Sequence, residues 1–530
     1  MNQPKTRQDQ SAPPGQQHSK GEMGRRGVTR MAMARQAQDE TTEQQHQKKD
    51  PKHKDQNREN GHGGMSEAER RAMQAEHHQQ TLWVYWTIIL LGFWMVASAV
   101  TFGYQNGVVE VAGDRWLPWS LATRQSLMFW SDVISGALLV VLGWLSLNPF
   151  RPKALWGACL VGVWMNFAPL LFWSPTAWGY TNNTLVGALV VALTVLIPGM
   201  PWMIMMMEHG PQVPKGWSYN PSSWPQRWIM IATGIAGWFV SRYLGAYQLG
   251  YIPHIWEPFF GDGSIRVLNS TVSHLWPVSD GGLGAFTYTF EALMGFMGSP
   301  ARWRTMPWMV LLFGILVIPL GLTHVLLIMS QPVLVGHWCT FCLLAATIML
   351  PMIPLEIDEV IAMCQFMVQT KREGKPFWRT FWRGGTTTGE GEDRRSPALT
   401  TLAAAPQRVI PAMVWGMSVP WTLALTTLLG IWLMVTPALL GNTARMADSD
   451  HLIGALVITI SVISMGEVVR AGRYLNGLLG LWVIAAPFIV TGATASGLWN
   501  SVAVGLFIAL LSIPRGVVRE RYGLWQKFVV

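Results

Sequence analysis

The stretch TLWVYWTIILLGFWMVASAVTFG, residues 81–103, carries no charged side chain over 23 positions. At 1.5 Å of rise per residue, a helix of that length crosses the hydrocarbon core of a bilayer, about 30 Å thick. In that layer every backbone N–H and C=O has to be bonded within the segment, which makes a lone apolar run of this kind a helix. Eleven similar runs follow, at approximately 128–148, 154–173, 183–206, 227–251, 281–298, 307–330, 338–363, 418–440, 451–469, 475–492 and 498–514. The expected fold class is therefore all-α, a polytopic integral membrane protein of about 12 transmembrane helices. Half of the 530 residues are hydrophobic and 13% are charged, a balance foreign to soluble globular chains.

The net charge of +9 is distributed along the chain in a way that reports orientation. With the N-terminus placed on the cytoplasmic side, alternate connections fall outside and carry only Arg115, Arg124, Arg266 and Arg445. The inner hairpins each hold a basic pair: Arg151 with Lys153, Arg302 with Arg304, Arg470 with Arg473. Basic side chains near span ends resist translocation, so both termini are expected in the cytoplasm and the membrane is taken as a bacterial inner membrane. Nothing in this pattern forms a basic groove for nucleic acid. Residues 1–80 are polar, lack any apolar run and read as a disordered cytoplasmic tail whose histidines, including His77-His78, have no metal-ligand spacing.

Internal repeats divide the remainder. Gly162-Val163-Trp164 with Pro169, Gly430-Ile431-Trp432 with Pro437, and Gly480-Leu481-Trp482 with Pro487 share one spacing, and Gly92-Phe93-Trp94 begins a fourth copy with Ala99 at the proline position. Each is followed by a helix that opens on a polar residue and then a glycine: Asp132 to Gly136, Asn183 to Gly187, Asp450 to Gly454, Asn500 to Gly505. These are helical hairpins in which glycine permits close helix approach and proline bends a span near its outer end. The unit resembles the SPW repeat family of bacterial membrane proteins, whose pattern is Gly-x-Trp-Leu-x-x-Ser-Pro-Trp. Here the serine is replaced by Ala168, Thr436 or Ala486 and the last tryptophan by Leu170, Ala438 or Phe488. The expected division is a tail at 1–80, a repeat pair at 81–206, a linker at 207–226, a four-helix bundle at 227–370, a linker at 371–408, a second repeat pair at 409–516 and a tail at 517–530.

The central bundle holds the residues that suggest chemistry. Its last helix begins Gly336-His337-Trp338-Cys339-Thr340-Phe341-Cys342-Leu343. Cysteines at this spacing share a helix face within reach of a disulfide, and the first turn of a helix favours a thiolate. On the outer side of the membrane such a pair meets an oxidising compartment. Three uses remain open on the residues alone: a redox pair, a structural disulfide, and a metal site completed by His337, His254 and His274.

The bundle resembles the vitamin K epoxide reductase family, membrane four-helix proteins that couple quinone reduction to thiol oxidation. Cys339-Thr340-Phe341-Cys342, the passage Leu268 to Gly284 and the four-span layout carry the resemblance. It implies a lipid quinone of the ubiquinone or menaquinone type as cofactor, with Cys342 facing the ring and Cys339 exchanging disulfides with an external thiol-disulfide partner protein. The loop Pro253 to Asp280 lacks the second cysteine pair that many members carry there. Trp276-Pro277-Val278-Ser279-Asp280-Gly281-Gly282 reads as a turn and helix start capped by Ser279 or Asp280, and the resemblance places this stretch over the quinone mouth as a lid.

Trp338, Phe341, Tyr243, Tyr247 and His324 are further candidates for the quinone site. Arg242 and Glu291 fall at similar depths and are expected to pair, since isolated charges in a bilayer are expensive. Glu356, Asp358 and Glu359 read as a solvated helix end. The reading is a membrane oxidoreductase with a non-enzymatic scaffold, or a metal-binding or transport protein, as the alternatives.

Overall fold

The computed structural model describes residues 67–113, 115–149, 151–196, 212–399 and 405–529. The expected tail up to residue 66, and the inner end of the fourth expected span, lie outside them. Helix α1, Glu67–Gln80, runs into α2, Leu82–Phe102. The first repeat pair continues with α3 (Leu121–Ser146), α4 (Pro152–Leu171) and α5 (Ala177–Val195). The bundle is built from α6 (Trp224–Gln248), α7 (Asp280–Phe296), α8 (Pro307–Ser330), α9 (Thr340–Met349) and α10 (Met352–Arg372). The second repeat pair is α11 (Trp421–Leu440), α12 (Ala444–Ile463), α13 (Tyr474–Ile489) and α14 (Ala495–Leu511).

Over the described residues the expected spans fall on helices, and the protein is an all-α multi-pass membrane protein. Nine helices among the described residues are long and apolar enough to cross a bilayer, and α14 is a shorter apolar one. Large apolar side chains such as Phe93, Leu160, Leu185, Phe239, Leu428 and Phe507 point outward, as a lipid-facing surface requires. Strand structure among the described residues is limited to the antiparallel pair Gln212–Val213 with Gly391–Glu392.

Two departures from the expected boundaries have local causes. The stretch from Glu67 to Gln80 is helical, not irregular, because Ala, Glu, Arg, Met and Gln are strong helix formers and His78 anchors it. That histidine stacks on Tyr85 and bonds the carbonyl of Leu147 at 3.0 Å. The last bundle span is two helices, broken between Met349 and Met352 where Pro351 has no N–H to continue the ladder.

The four hairpins repeat one joint. In α2 and α3, Gly92 and Gly136 face each other, and a Cβ on either would fall 2.6 Å from the other's carbonyl oxygen. Gly162 with Gly187, Gly430 with Gly454, and Gly480 with Gly505 meet in the same way. Hairpins then join in pairs through their tryptophans. Trp94 donates its indole N–H to Asn182 at 2.8 Å and Trp164 donates back across the pair to Ser131 at 3.0 Å. In the second pair Trp432 donates to Asn500 at 2.8 Å and Trp482 to Ser449 at 3.0 Å. Each pair thus has the reciprocity of a twofold axis. The residue after each acceptor is buried, Asp132, Asn183, Asp450 or Ser501, so the fourth repeat aligns on Ser501 and not on Asn500.

Candidate functional site

Cys339 and Cys342 are joined by a disulfide, with their Cα atoms 5.3 Å apart. Helix α8 leads to them through one wide turn, Gln331–Val335, which ends on Gly336 in the left-handed region at φ 72°. Cys339 caps α9, and its sulfur accepts the N–H of Cys342 at 3.1 Å. The Cys339 N–H is held by the side-chain oxygen of the buried Gln331 at 2.9 Å.

The two sulfurs have different surroundings. Cys342 is half-buried and lines a cavity of about 200 Å³ between α6, α7, α8 and α9. Leu244, Leu268, Leu283, Leu320 and Leu327 give it apolar walls, and Thr287, His324 and Gln331 supply polar groups. Trp276 of the loop preceding α7 and Asp280 at its start also line it, and the first turn of α7 is capped by Ser279 accepting the N–H of Gly282 at 3.0 Å. A partly open, mainly apolar slot with a few polar points suits a ring system. Cys339 is fully buried, beneath Leu244, Tyr247, Ile255, Val267 and Leu268.

His324 also lines this cavity. Its Nδ1 lies 2.9 Å from the carbonyl oxygen of Leu320, which can only accept. Nδ1 is therefore the protonated nitrogen, and a neutral His324 presents a lone pair at Nε2. In that form it accepts a hydrogen bond from a hydroxyl or thiol.

The remaining candidates stand elsewhere. Tyr243 and Phe341 meet edge to face at 5.1 Å on the far side of the cysteine pair, and the Tyr243 hydroxyl accepts the N–H of Trp256 at 2.9 Å. Tyr247 accepts from Asn269 at 3.0 Å, and Trp338 rests against Phe260 and His451. None of these four lines the cavity.

Arg242 and Glu291 do not pair. The guanidinium turns toward α5, donating to Thr184 at 2.8 Å and lying 4.0 Å over the ring of Tyr180. Glu291 faces the bundle interior, where neither carboxylate oxygen has a partner among the described residues. Equal depth along neighbouring helices does not fix which way side chains face. The carboxylates of α10 are likewise not a solvated end: Glu356, Asp358 and Glu359 are all buried. Arg302 grips Glu359 through two bonds of 2.6 and 2.7 Å, and the Tyr219 hydroxyl donates to Asp358 at 2.5 Å.

Sequence reasoning missed Glu257. Its carboxylate accepts the N–H of Thr340 at 3.2 Å, the hydroxyls of Thr340 and Ser264, and the N–H groups of Phe259 and Phe260 at 3.3 Å each. Partial burial works to raise its pKa, yet the bonds from Ser264 and Thr340 outweigh it and hold the group below the ordinary range. Glu257, Asp262 and Asp280 are the acids of the loop Pro253 to Asp280, but which of them reaches the cysteines depends on a turn that no short motif encodes.

The same loop is braced from the first repeat pair. Arg115 donates to the carbonyls of Ser273 and Val278 at 2.6 and 3.4 Å, and Trp173 to that of Pro277 at 2.8 Å.

Residues 228–357 match the family model of the vitamin K epoxide reductase family, and residues 420–514 match that of the SPW repeat domain. The first repeat pair lies outside the second match and has the same glycine joints and indole bonds. No curated protein and no solved structure matches the chain.

Proposed function

We propose that this chain is a quinone-coupled thiol oxidoreductase of a bacterial inner membrane, with both termini in the cytoplasm and Cys339–Cys342 at the outer face. One observation carries the reading: a disulfide with one sulfur on a largely apolar cavity and the other buried beneath a loop at the same end of the bundle. The match of residues 228–357 to a family associated with quinones supports it.

In the first half-reaction a thiolate of an external dithiol protein attacks the Cys339 sulfur, and the Cys339–Cys342 bond breaks with Cys342 leaving as thiolate. The partner's second thiolate then displaces Cys339, and the partner departs as a disulfide, having given up two electrons. In the second half-reaction Cys342 gives up its electron pair toward the cavity and the thiolate of Cys339 closes on it, which restores the disulfide. A quinone held in the cavity would supply the two-electron, two-proton acceptor for this step. Gln331 holds the backbone N–H of Cys339, a neutral His324 has its Nε2 lone pair available to accept a hydrogen bond, and Trp276 lines the slot from the loop preceding α7.

The fit to a quinone rests on the apolar walls with few polar points. Nothing favours the metal reading, since among the described residues no three His, Cys, Asp or Glu side chains gather at a common point. The test is dithiol-driven quinone reduction by the purified protein. Wild type turns over and Cys342→Ser does not; equal rates for both would end the proposal.

A further inference from the structure

Cys339 has no exposed surface, yet disulfide exchange requires in-line approach to its sulfur. It is covered by Leu244 and Tyr247 of α6 and by the segment from Ile252 to Leu268: Ile255, Val267 and Leu268 belong to the same buried cluster, and the short helix Gly263–Leu268 sits so close that a Cβ on Gly263 would strike the carbonyl of Trp338. The cover contains one carboxylate that reaches the cysteine motif. Glu257 gathers the loop's own donors, Ser264, Phe259 and Phe260, and at the same time takes the N–H and hydroxyl of Thr340, the residue that follows Cys339.

We propose that Glu257 is a positioning residue that latches the outer loop onto Thr340, and that release of this latch opens Cys339 to an external thiol. This deepens the oxidoreductase reading and rests on it for the identity of the thiol.

The physics of the latch follows from its partners. A carboxylate at the N-terminus of α9 satisfies a backbone donor that has no partner in the helix, and its charge complements the helix dipole. Hydrogen bonds to a charged acceptor are the strong ones, and here they converge from both sides of one closure. The same charge disfavours a thiolate at Cys339. Reduction of the disulfide therefore works against the latch, which ties closure to the oxidised state. The other charged or titratable groups near this closure are the exposed Arg266–Asp262 pair, His337, whose Nε2 lies 3.4 Å from Arg266, the exposed His254 of the cover itself, Tyr243, whose hydroxyl accepts the N–H of Trp256, Tyr247 beside Cys339, and His451 against Trp338. None of them hydrogen-bonds to Thr340.

The test measures alkylation of Cys339 by a water-soluble maleimide as a function of pH, in full-length protein with Cys342, Cys159 and Cys364 changed to serine. The rate rises with pH to a plateau; the plateau reports how often the loop is open, and the midpoint reports the thiol pKa. Glu257→Gln is expected to raise the plateau about tenfold and to lower the midpoint. Thr340→Val removes only the hydroxyl and is expected to raise the plateau and leave the midpoint in place. Glu257→Asp, which keeps the charge, is expected to recover part of the closure. A plateau unchanged in both Glu257→Gln and Thr340→Val overturns the latch, as does a shift of midpoint alone. The assay contains neither quinone nor partner protein, so failed quinone turnover would leave the latch standing, and an absent latch would leave the redox reading standing.

Discussion

Gly92 and Gly136 touch backbone to backbone across the first hairpin, each blocking with its carbonyl the space that a side chain on the other would need. The obstacle is helix backbone and cannot yield as a flexible side chain does. Gly136→Val and, in the second repeat pair, Gly454→Val are each expected to destabilise the protein by about 1–3 kcal/mol. The measurement is an unfolding titration in detergent, with the lipid-facing Val141→Leu as a control that leaves the midpoint in place. Unchanged midpoints for both glycine variants would remove the glycine joint as a source of stability.

The indole bonds between hairpins invite a double-mutant cycle. Trp432→Phe and Asn500→Ala, singly and together, are expected to give a coupling energy of about 0.6 kcal/mol, the common size of a hydrogen bond between membrane helices. A coupling indistinguishable from zero would mean that the bond contributes geometry without stability.

Glu359 shares two bonds with Arg302 in a site closed to solvent. Removing one partner leaves a buried charge uncompensated, so Glu359→Ala is expected to cost about 3–5 kcal/mol. Arg302→Met combined with Glu359→Leu is expected to recover much of that loss. A thermal-shift series in one detergent compares them, and a double variant less stable than Glu359→Ala would contradict the account.

The cavity beside Cys342 predicts which side chains govern quinone binding. Leu320→Trp, which fills the slot, is expected to raise the KM for quinone about tenfold or more while the reduction potential of the cysteine pair stays unchanged. Tyr243→Phe and Tyr247→Phe lie behind the pair and are expected to change KM by less than about twofold. Steady-state kinetics with a soluble quinone reads both, and a large effect from either tyrosine would relocate the site.

Glu373, at the opposite end of the bundle, gives a pH signature. The ammonium of Lys375 at 2.7 Å, with Thr388 donating from both its N–H and its hydroxyl, lowers its pKa to about 2. A carboxylate depressed in the folded state contributes stability above its ordinary value of about 4.3 and loses it as pH falls through the folded value. Protection of the Thr388 amide from hydrogen exchange, corrected for the intrinsic rate, is expected to hold at pH 5 and to fall between about 4 and 2. Glu373→Gln should abolish that dependence; persistence of the step in the variant would assign it to another group.

The helices were legible because a bilayer imposes length and apolarity on every span, and the glycine joints because four copies carry the same spacing. Repetition also marked the polar residue before each second glycine, although the fourth copy slipped by one, since Asn500 and Ser501 are both polar. The cysteine pair was legible from its interval alone. Depth along a helix can be counted from sequence, whereas facing depends on packing, and that is why Arg242 turned to Tyr180 and left Glu291 alone. The burial of Glu356, Asp358 and Glu359 arises from segments distant in the chain, such as the one that brings Tyr219 to Asp358. Glu257 was hidden for the same reason: its partner is 83 residues away.

Arg115 belongs to the connection between α2 and α3, yet its bonds end on Ser273 and Val278, at the rim of the slot beside Cys342. A bundle cut free at its own boundaries would keep both sulfurs and most of the slot's lining, but its roof would lose the outside struts from Arg115 and Trp173. The flanking hairpins are thus part of the machine's housing, and a graft of the central helices into another protein would have to bring that scaffolding along.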